Sequence, residues 1–375
     1  MKELGLEILN KIYEYGYIGY IIGGYTRDYL LGNDTTDIDI TTNATPMEIK
    51  NIFPDVYMMH ESYGSVRINY KNVRFDITTF RKEEDYIDHR HPNSITYVND
   101  LKTDLLRRDF TINTICMDKD GNIIDMLNAK EDLNNHILKT IIDADTSFKI
   151  DALRILRAIR FAAILSFKLS TDIEKAIINN KSLLKEISFN RKKEELDKIF
   201  GSTHAKEGIK LLKKFNLDQE LDLTSMDRVK DYSDIVGIWA MINPNKYQFT
   251  SSEKDLINKI NVVYTMNNLD NYVLYKYGLY VNLLAGINKG IKKKDILKKY
   301  DELKIKSRDE IDISVKEMCD LLKKKPGSFI GKIYDELEKL ILSGIIQNKK
   351  ENICHFIKEK QKGNEIKWFT FLYGK

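Results

Sequence analysis

The stretch over residues 21–41, IIGGYTRDYLLGNDTTDIDIT, constrains the fold of this chain more than any other. An apolar run ends in two glycines, a short segment with helical spacing follows, and a second apolar run carries Asp37 and Asp39. Because side chains alternate between the two faces of a strand, both aspartates are predicted to share one face, and Ile38 and Ile40 the other. The sequence therefore predicts a strand, a helix and a second strand, with two carboxylates close to a glycine turn.

This arrangement is suited to a divalent metal and a phosphate. Asp37 and Asp39 repel each other unless a cation lies between them, and Mg²⁺ accepts such a site because water and phosphate oxygens fill its other positions. A ligand can approach the backbone closely at Gly24, where a helix would direct free N–H groups at an anion. Arg27 follows one turn later. A lone Asp-X-Asp is usually a strand end and a lone Gly-Gly a turn, but together at this spacing they indicate nucleotidyl transfer.

Composition narrows the class of protein. The 375 residues suffice for two or more domains, and the net charge of +4 is only mildly basic. The three cysteines, Cys116, Cys319 and Cys354, are scattered, match no metal-ligand spacing and favour a reducing cytoplasm. The sequence contains no apolar run of about twenty residues, so no transmembrane helix is predicted. The N-terminus is typical of a first helix rather than a targeting peptide.

The apolar pattern changes near residue 138. Before it, short runs with strand and helix spacing alternate, and a hairpin turn is predicted between Tyr70 and Val73. After it, the spacing is helical almost without interruption. We therefore predict an α+β fold, with a small, mixed, largely antiparallel sheet and helices in the first third and an all-α remainder. Strands are predicted at 18–22, 37–41, 56–60, 65–70 and 73–80, and helices at 4–15, 47–52, 148–161, 171–179, 191–200, 205–214, 254–266 and 330–342.

Two further segments of the first third bear on the site. Asp76 lies in the strand predicted at 73–80, and its carboxylate can join the metal site if that strand neighbours the one of Asp37. An ordinary polar strand residue is an equally good interpretation. The polar segment 83–98 is long for a loop, and we predict that it is a mobile lid.

The segment LLRRDFTIN contains an arginine pair that ends at Arg108. Asp109 is predicted to be the N-cap of a helix that begins near Phe110. Arginines beside a helix N-terminus suit a triphosphate, whereas a surface ion-pair cluster is the alternative interpretation.

The segment DALRILRAIRF predicts a means of selecting bases. Asp151 and Arg154 are three residues apart and can act together on a helix. Ionised Asp only accepts hydrogen bonds and Arg only donates them, which matches the acceptor and amine edges of both cytosine and adenine, whereas guanine and uracil present the reverse. An intrahelical ion pair is the alternative. Arg157 and Arg160 continue the spacing but drift around the helix, so we expect them to reach phosphate, the base rim or neighbouring structure.

Taken in order, these segments resemble the bacterial class II tRNA nucleotidyltransferases, that is, the CCA-adding enzymes, and the related bacterial poly(A) polymerases. The resemblance covers essentially the whole chain. It is carried by IIGGYTRDYLLG, DIDITTNATP, RFDITTFR, DYIDHRHP, RRDFTIN, DALRILRAIRFAA, ISFNRKKEELDKI and the tail from SVKEMCDLL to IIQNKKE.

The resemblance implies an enzyme that adds CCA to the 3′ end of tRNA from CTP and ATP with Mg²⁺ and releases pyrophosphate. It implies a catalytic head at 1–137, a helical neck with a base-recognition helix at 138–200, a helical body at 201–300 and a tRNA-binding helical tail at 301–375. The implied roles are metal binding by Asp37 and Asp39, nucleotide contact by Gly24 and Arg27, triphosphate contact by Arg108, base reading by Asp151 and Arg154, and completion of the nucleotide pocket by Arg157 and Arg160.

The chain departs from the family pattern at five positions, none of which has a proposed chemical role. Tyr25 and Thr26 replace a small residue and Val, and Tyr25 is expected to crowd the phosphate loop. Ile150 and Asn190 stand where Glu is usual, and Asn190 is expected to weaken a helix contact. Thr114 stands in place of Ala.

Three relatives within the class and one protein outside it are alternatives. A poly(A) polymerase usually has a strongly basic extension, which this sequence lacks, and a CC-adding enzyme lacks the loop that DYIDHR represents here. An enzyme that adds only the final A stays open. An inactive RNA-binding protein on the same scaffold is disfavoured by the retained acidic residues. Lysine clusters at 289–299, 322–327 and 346–352 are typical of solvated helices but also predict a phosphate-tracking surface.

Overall fold

The computed structural model describes residues 1–60, 64–86, 92–242 and 245–361. The chain divides into two compact units, of which the first comprises residues 1–224 with 245–248 and the second the remaining described residues. No helix in these ranges is both long enough and apolar enough to cross a membrane.

The strands of the described chain all lie in the first unit. They are β1 (Gly19–Ile22), β2 (Asp39–Thr42), β3 (Val56–His60), β4 (Ser65–Tyr70), β5 (Val73–Thr79), β6 (Arg81–Tyr86), β7 (Pro92–Tyr97), β8 (Cys116–Met117), β9 (Ile123–Ile124), β10 (Ile137–Leu138) and β11 (Lys168–Leu169).

Seven of these strands form one sheet in the order β3-β4-β5-β2-β1-β8-β9. Its only parallel pairing among the described strands joins β2 to β5, so the predicted mixed, largely antiparallel sheet is confirmed. The predicted hairpin turn is also confirmed, since Lys71 and Asn72 both have positive φ, as a two-residue type I′ turn requires.

One face of the sheet is covered by the first helix. Ile8, Leu9 and Ile12 are fully buried and pack in one cluster with Ile40 and Ile77 of the central strands. Side chains at alternate positions of β2 therefore point away from this core, and Asp39 is exposed.

Helices make up most of the rest. In the first unit they are α1 (Lys2–Glu14), α2 (Gly24–Leu30), α3 (Pro46–Ile52), α4 (Leu101–Leu106), α5 (Ala129–Asn134), α6 (Ala144–Ile150), α7 (Leu153–Ile164), α8 (Thr171–Asn180), α9 (Phe189–Phe200), α10 (Ala205–Lys214) and α11 (Leu217–Glu220). In the second they are α12 (Ile235–Ile242), α13 (Ser251–Thr265), α14 (Asn271–Asn288), α15 (Lys293–Asp301), α16 (Val315–Leu322), α17 (Phe329–Leu342) and α18 (Lys350–Gln361). The predicted α+β head and helical remainder are confirmed, although the two-residue strand β11, which pairs with β10, lies in the part that was predicted to be all-α.

Three local predictions were wrong. The strand predicted to start at Asp37 begins only at Asp39. The helix predicted at 148–161 is two helices, because Asp151 has extended backbone angles (φ −139°, ψ 99°). In place of a helix near Phe110 there is one 3-10 turn, Thr111–Asn113.

The predicted long loop at 83–98 was also wrong in part, since β6 and β7 pair antiparallel across most of it. Residues 87–91, which carry most of DYIDHRHP, lie outside the described residues, as do residues 362–375 of the predicted tail.

Candidate active site

The two aspartates of the opening stretch lie at the open end of β2. Asp39 is the first residue of that strand and pairs with Ile22, the last residue of β1. Gly23 therefore comes next to it, with φ 77°, and a Cβ built on this glycine would lie 3.5 Å from Asp39 Oδ2. Asp37 is exposed and lies two residues before the strand. The antiparallel return of the chain thus places the glycine turn beside the carboxylates, as the sequence predicts.

The electrostatic setting of Asp39 favours a cation. Its side chain reaches solvent, but protein crowds it on the other sides, and this desolvation is the largest cause that raises its pKa to about 6. The neighbouring charges of Asp37 and Asp76 raise it further, while Arg108 lowers it. In the described part of the chain neither the Asp37 carboxylate nor the Asp39 carboxylate forms a hydrogen bond or ion pair. These two carboxylates fit the ligand set that a hydrated Mg²⁺ ion accepts.

Asp76 lies next to Asp39, in register on the parallel strand β5. Both of its carboxylate oxygens accept hydrogen bonds from Arg67, from Nε at 2.6 Å and from Nη2 at 2.8 Å. Within the described ranges no three His, Cys, Asp or Glu side chains are arranged to hold a metal. The strand of Asp76 does neighbour the strand of Asp39, as metal binding by Asp76 would require, but the Asp76 carboxylate is hydrogen-bonded to Arg67. Metal binding by Asp76 stays a prediction.

Gly24 is the first residue of α2, and the Arg27 side chain lies close to its backbone. A Cβ built on Gly24 would lie 3.6 Å from Arg27 Nη2. The buried Arg27 guanidinium donates to both carboxylate oxygens of Asp28 and, through Nη1, to Asn113 Oδ1 at 2.8 Å. Arg27 is therefore fixed before any nucleotide binds.

Tyr25 and Thr26, which depart from the family pattern, are both buried and do not fill the glycine turn. Tyr25 is 5% exposed and packs in the core of the sheet, so the expectation that it crowds the phosphate loop was wrong. The Thr26 hydroxyl is buried and donates to the Ile21 carbonyl oxygen.

Asp109 does not cap a helix. Its carboxylate accepts hydrogen bonds from Asn113 Nδ2 at 3.0 Å and from Arg157 Nε at 2.7 Å. Burial alone would raise the pKa of Asp109, but the Arg157 guanidinium and the Asn113 amide outweigh it and hold the pKa well below its usual value. A continuous path of hydrogen bonds thus joins Arg27 to Arg157 through Asn113 and Asp109.

The ring of Phe161 lies among three of the predicted pocket arginines. The guanidinium carbons of Arg27, Arg157 and Arg160 lie 5.3, 5.6 and 4.4 Å from its centroid. Glu195 on α9 lies 2.9 Å from Arg160 Nε, although these atoms are not aligned as a hydrogen bond. Each arginine has a carboxylate neighbour, which reduces the repulsion that three clustered cations would otherwise suffer.

Asp151 and Arg154 lie at the junction of α6 and α7. Asp151 Oδ1 accepts a hydrogen bond from the backbone N–H of Leu153 at 3.0 Å, so Asp151 precedes the helix of Arg154 instead of sharing it. Arg154 is buried, and its two terminal nitrogens donate to Ser147 Oγ and to the Arg107 carbonyl oxygen, each at 2.8 Å. The structure therefore fixes Arg154 against both α6 and the arginine pair.

Sequence reasoning missed the residues that hold the arginines in place. Asn113, Asp104, Phe161 and Glu195 had no assigned role, although Asp104 stands four residues before Arg108 and Phe161 follows Arg160 directly. Helical spacing from Arg108 was the only signal available for Asp104. For Asn113 and Glu195 the sequence contained none, because their partners lie on distant segments.

Three family models match the chain. They are the poly A polymerase head domain at residues 19–139, the probable RNA and SrmB-binding site of polymerase A at 166–221, and the putative tRNA nucleotidyltransferase domain 2 at 246–357.

Similar proteins match over nearly their whole length. A CCA-adding enzyme of Staphylococcus haemolyticus is 32% identical, over 95% of this chain and 97% of that protein. One of Geobacillus thermodenitrificans is 30% identical, over 97% and 98%. The solved structure of the Bacillus stearothermophilus CCA-adding enzyme in complex with CTP matches with a TM-score of 0.82 and 26% identity over 97% and 98% of the two chains. The Thermotoga maritima CCA-adding enzyme complexed with tRNA shares the fold, with a TM-score of 0.71, 20% identity and coverage of 96% and 95%.

Proposed function

Because the chain belongs to the family of the CCA-adding enzymes, we propose that it adds C, C and A to the 3′ end of tRNA from CTP and ATP without a nucleic-acid template. The observation that carries this proposal is the pair Asp37 and Asp39, whose carboxylates have no protein partner among the described residues. Asp39 lies beside the Gly23 turn, and Asp37 is close enough to raise the pKa of Asp39. Relatives at 30% identity or more span the same length, so the substrates of the family are those to test first.

The reaction is an in-line displacement. The terminal hydroxyl oxygen of tRNA attacks the α-phosphorus of the nucleotide and forms an O–P bond. The bond between the α-phosphorus and the oxygen that bridges to the β-phosphorus breaks, pyrophosphate leaves, and the hydroxyl proton is released to solvent. Asp37 and Asp39 would hold Mg²⁺, which lowers the pKa of the attacking hydroxyl and stabilises charge on the attacking and leaving oxygens. The chain itself orients the phosphates, through the Gly24 backbone, Arg27 and Arg108.

Base selection is assigned to the start of α7. A carboxylate at Asp151 accepts from the exocyclic amine of cytosine or adenine, and Arg154 donates to the adjacent ring nitrogen. Arg157 and Arg160 complete the pocket, and Asp109 and Glu195 hold them.

We propose the division into head, neck, body and tail at residues 137, 200 and 300, with the helical body and tail gripping the acceptor and T arms of tRNA. The three free cysteines favour a cytoplasmic location.

The metal assignment is tested by extending a tRNA that lacks CCA, with CTP and ATP supplied together. We expect Asp37→Ala and Asp39→Ala each to lower kcat by about a thousandfold or more, because a catalytic metal ion supplies several kcal/mol of transition-state stabilisation. Asp34→Ala is the matched control, since Asp34 is exposed on the same loop. Near-normal rates for both variants would refute the assignment.

A second assay separates the alternatives within the family. The protein is given tRNAs that end at the discriminator base, at C or at CC, with CTP or ATP alone, and products are read at single-nucleotide resolution. Full CCA addition requires C incorporation on the first two substrates and one A on the third. Addition of A alone, or of many A residues to unrelated RNAs, would identify an A-adding enzyme or a poly(A) polymerase.

A further inference from the structure

One buried carboxylate contacts both arginines of the RRD segment. Asp104 on α4 is completely buried, and it takes part in no step of the reaction described above. Its Oδ1 accepts from Arg107 Nε at 2.9 Å, and its Oδ2 accepts from Arg108 Nη2 at 3.1 Å. A buried carboxylate with this many donors is fixed in position, because each lost contact would leave a charge without compensation.

Asp104 is also tied to the strand that carries the metal-binding residue. Its Oδ2 accepts from the Thr41 hydroxyl at 3.2 Å, and Thr41 lies on β2, two residues after Asp39. Its Oδ1 lies 3.3 Å from the backbone nitrogen of Arg81, which donates to it at the start of β6. Asp104 therefore links the Arg108 side chain to strand β2 by hydrogen bonds.

Arg108 depends on Asp104 for its orientation. In the described chain, the Asp104 contact is the one hydrogen bond of the Arg108 guanidinium, and the buried Arg108 Nε has no partner. The Arg108 charge nevertheless acts on Asp39. Arg107, by contrast, has a second carboxylate neighbour, Glu83, at 3.1 Å. Removal of the Asp104 charge would thus free Arg108 far more than Arg107.

We propose that Asp104 is a positioning residue for nucleotidyl transfer, which ties the Arg108 guanidinium to strand β2 through Thr41 so that the remaining N–H donors of Arg108 meet the triphosphate. The inference rests on the proposed function for the identity of the ligand. It goes beyond that function because it gives Asp104 the role of orienting Arg108. The contact with Asp104 uses only Nη2 of Arg108, so the Nε–H stays available as a donor.

The test is a double-mutant cycle on Asp104→Asn and Arg108→Ala. Each single variant is expected to raise the KM for CTP and for ATP about tenfold, with the KM for tRNA unchanged, because a hydrogen bond to a charged group is worth about this factor. If Asp104 acts through Arg108, the double variant will resemble Arg108→Ala alone. Effects that multiply in the double variant would overturn the proposal, because Asp104 would then act on the site by another route.

A second variant keeps the test decisive if Asp104→Asn does not fold. Thr41→Val removes one donor to the same Oδ2 and leaves both charges in place, and we expect an increase of about twofold in the nucleotide KM that disappears in the Arg108→Ala background. Asp104→Glu, which retains the charge, is expected to recover part of the loss. Failure of both expectations would overturn the proposal.

Nucleotide binding separates this proposal from the proposed function. Equilibrium binding of CTP and of ATP to the full chain is measured without tRNA. A wild-type protein that binds nucleotide but transfers none would refute the proposed function, while weaker binding by Asp104→Asn, and no further loss in the double variant, would still support the role of Asp104. Equal affinity in wild type and Asp104→Asn would refute that role.

Discussion

At the scale of single residues, Phe161 is the side chain that three arginines share. Phe161 is 9% exposed, and Phe110 packs edge-on against it at a centroid distance of 5.7 Å. A cation over an aromatic face is stabilised by about 0.5 to 2 kcal/mol, and removal of the ring's π system affects several arginines at once. We therefore expect Phe161→Leu to raise the KM for CTP and ATP by about fivefold, with recovery in Phe161→Tyr.

The control for this prediction is Phe167→Leu. Phe167 is 5% exposed in the same unit and contacts the His136 ring, and no arginine stacks on it in the described chain. Steady-state kinetics and thermal melting are measured on both variants. Equal changes in nucleotide KM for the two would show that loss of an aromatic core residue, and not loss of the arginine contacts, is responsible.

Asp109 predicts a specific acid sensitivity. A carboxylate whose folded pKa lies below its unfolded value of about 3.9 stabilises the fold above that value, and the contribution is lost as pH falls toward the folded pKa. Asp109→Asn also leaves the Arg157 charge without its partner, so we expect the melting temperature near neutral pH to fall by about 5 °C or more. The difference from wild type should persist down to about pH 5 and shrink below about pH 4. A difference that is constant down to about pH 3 would contradict the depressed pKa of Asp109.

Which site residues the sequence predicts depends on how far apart the partners lie. Asp39 and the glycine turn were predictable because an antiparallel return over a short segment brings them together. Arg27 meets Asn113, 86 residues away, and Arg157 meets Asp109, 48 residues away. No periodicity encodes such pairs, so the arginines were predicted but the side chains that hold them were not.

At the scale of elements, the junction between α6 and α7 shows why local patterns overextend a helix. Apolar spacing continues through residues 148–161 without Gly or Pro, and the sequence therefore predicted one helix. The break occurs because the Asp151 carboxylate accepts the Leu153 N–H, which a continuous helix would pair with a backbone carbonyl. A side chain assigned to base reading thus also starts the helix that carries Arg154.

These two roles of Asp151 can be separated by substitution. Asp151→Asn retains an oxygen that can accept from Leu153, so the melting temperature should stay close to wild type. Its amide can also donate a hydrogen bond, which matches uracil better than a carboxylate does. We expect the ratio of CTP to UTP incorporation on a tRNA lacking CCA to fall by about tenfold or more.

Asp151→Ala removes both functions and should lower the melting temperature as well as activity, because the lost hydrogen bond from the Leu153 N–H contributes about 1 kcal/mol. Asp143→Ala is the control for this loss, because the Asp143 carboxylate also accepts a backbone N–H at the start of a helix, that of Thr146 in α6 at 2.8 Å. It should reproduce the loss of stability without a change in base selection. Unchanged base selection in Asp151→Asn would exclude Asp151 from base reading.

At the scale of the whole molecule, the net charge of +4 does not show which lysines have a carboxylate partner and which do not. Lys71, Lys119 and Lys139 of the first unit each lie within ion-pair distance of an acidic side chain. The three consecutive lysines 292–294, at the start of α15 in the second unit, are all exposed. No carboxylate of the described chain forms an ion pair with them. Lysines without such neighbours release more counterions when they bind a phosphate backbone.

We therefore expect replacement of all three of these α15 lysines by Gln to weaken tRNA binding and leave nucleotide binding unchanged. Loss of up to three phosphate contacts should reduce the slope of log K against log salt concentration by about 2. The triple replacement of Lys71, Lys119 and Lys139 by Gln removes the same net charge, outside the segment that matches an RNA-binding site, and serves as the control. Binding of labelled tRNA is measured over a series of salt concentrations, and the KM for CTP is measured in parallel. If both triple variants lower the slope equally, net charge alone accounts for tRNA affinity, and α15 is not part of the tRNA-binding surface.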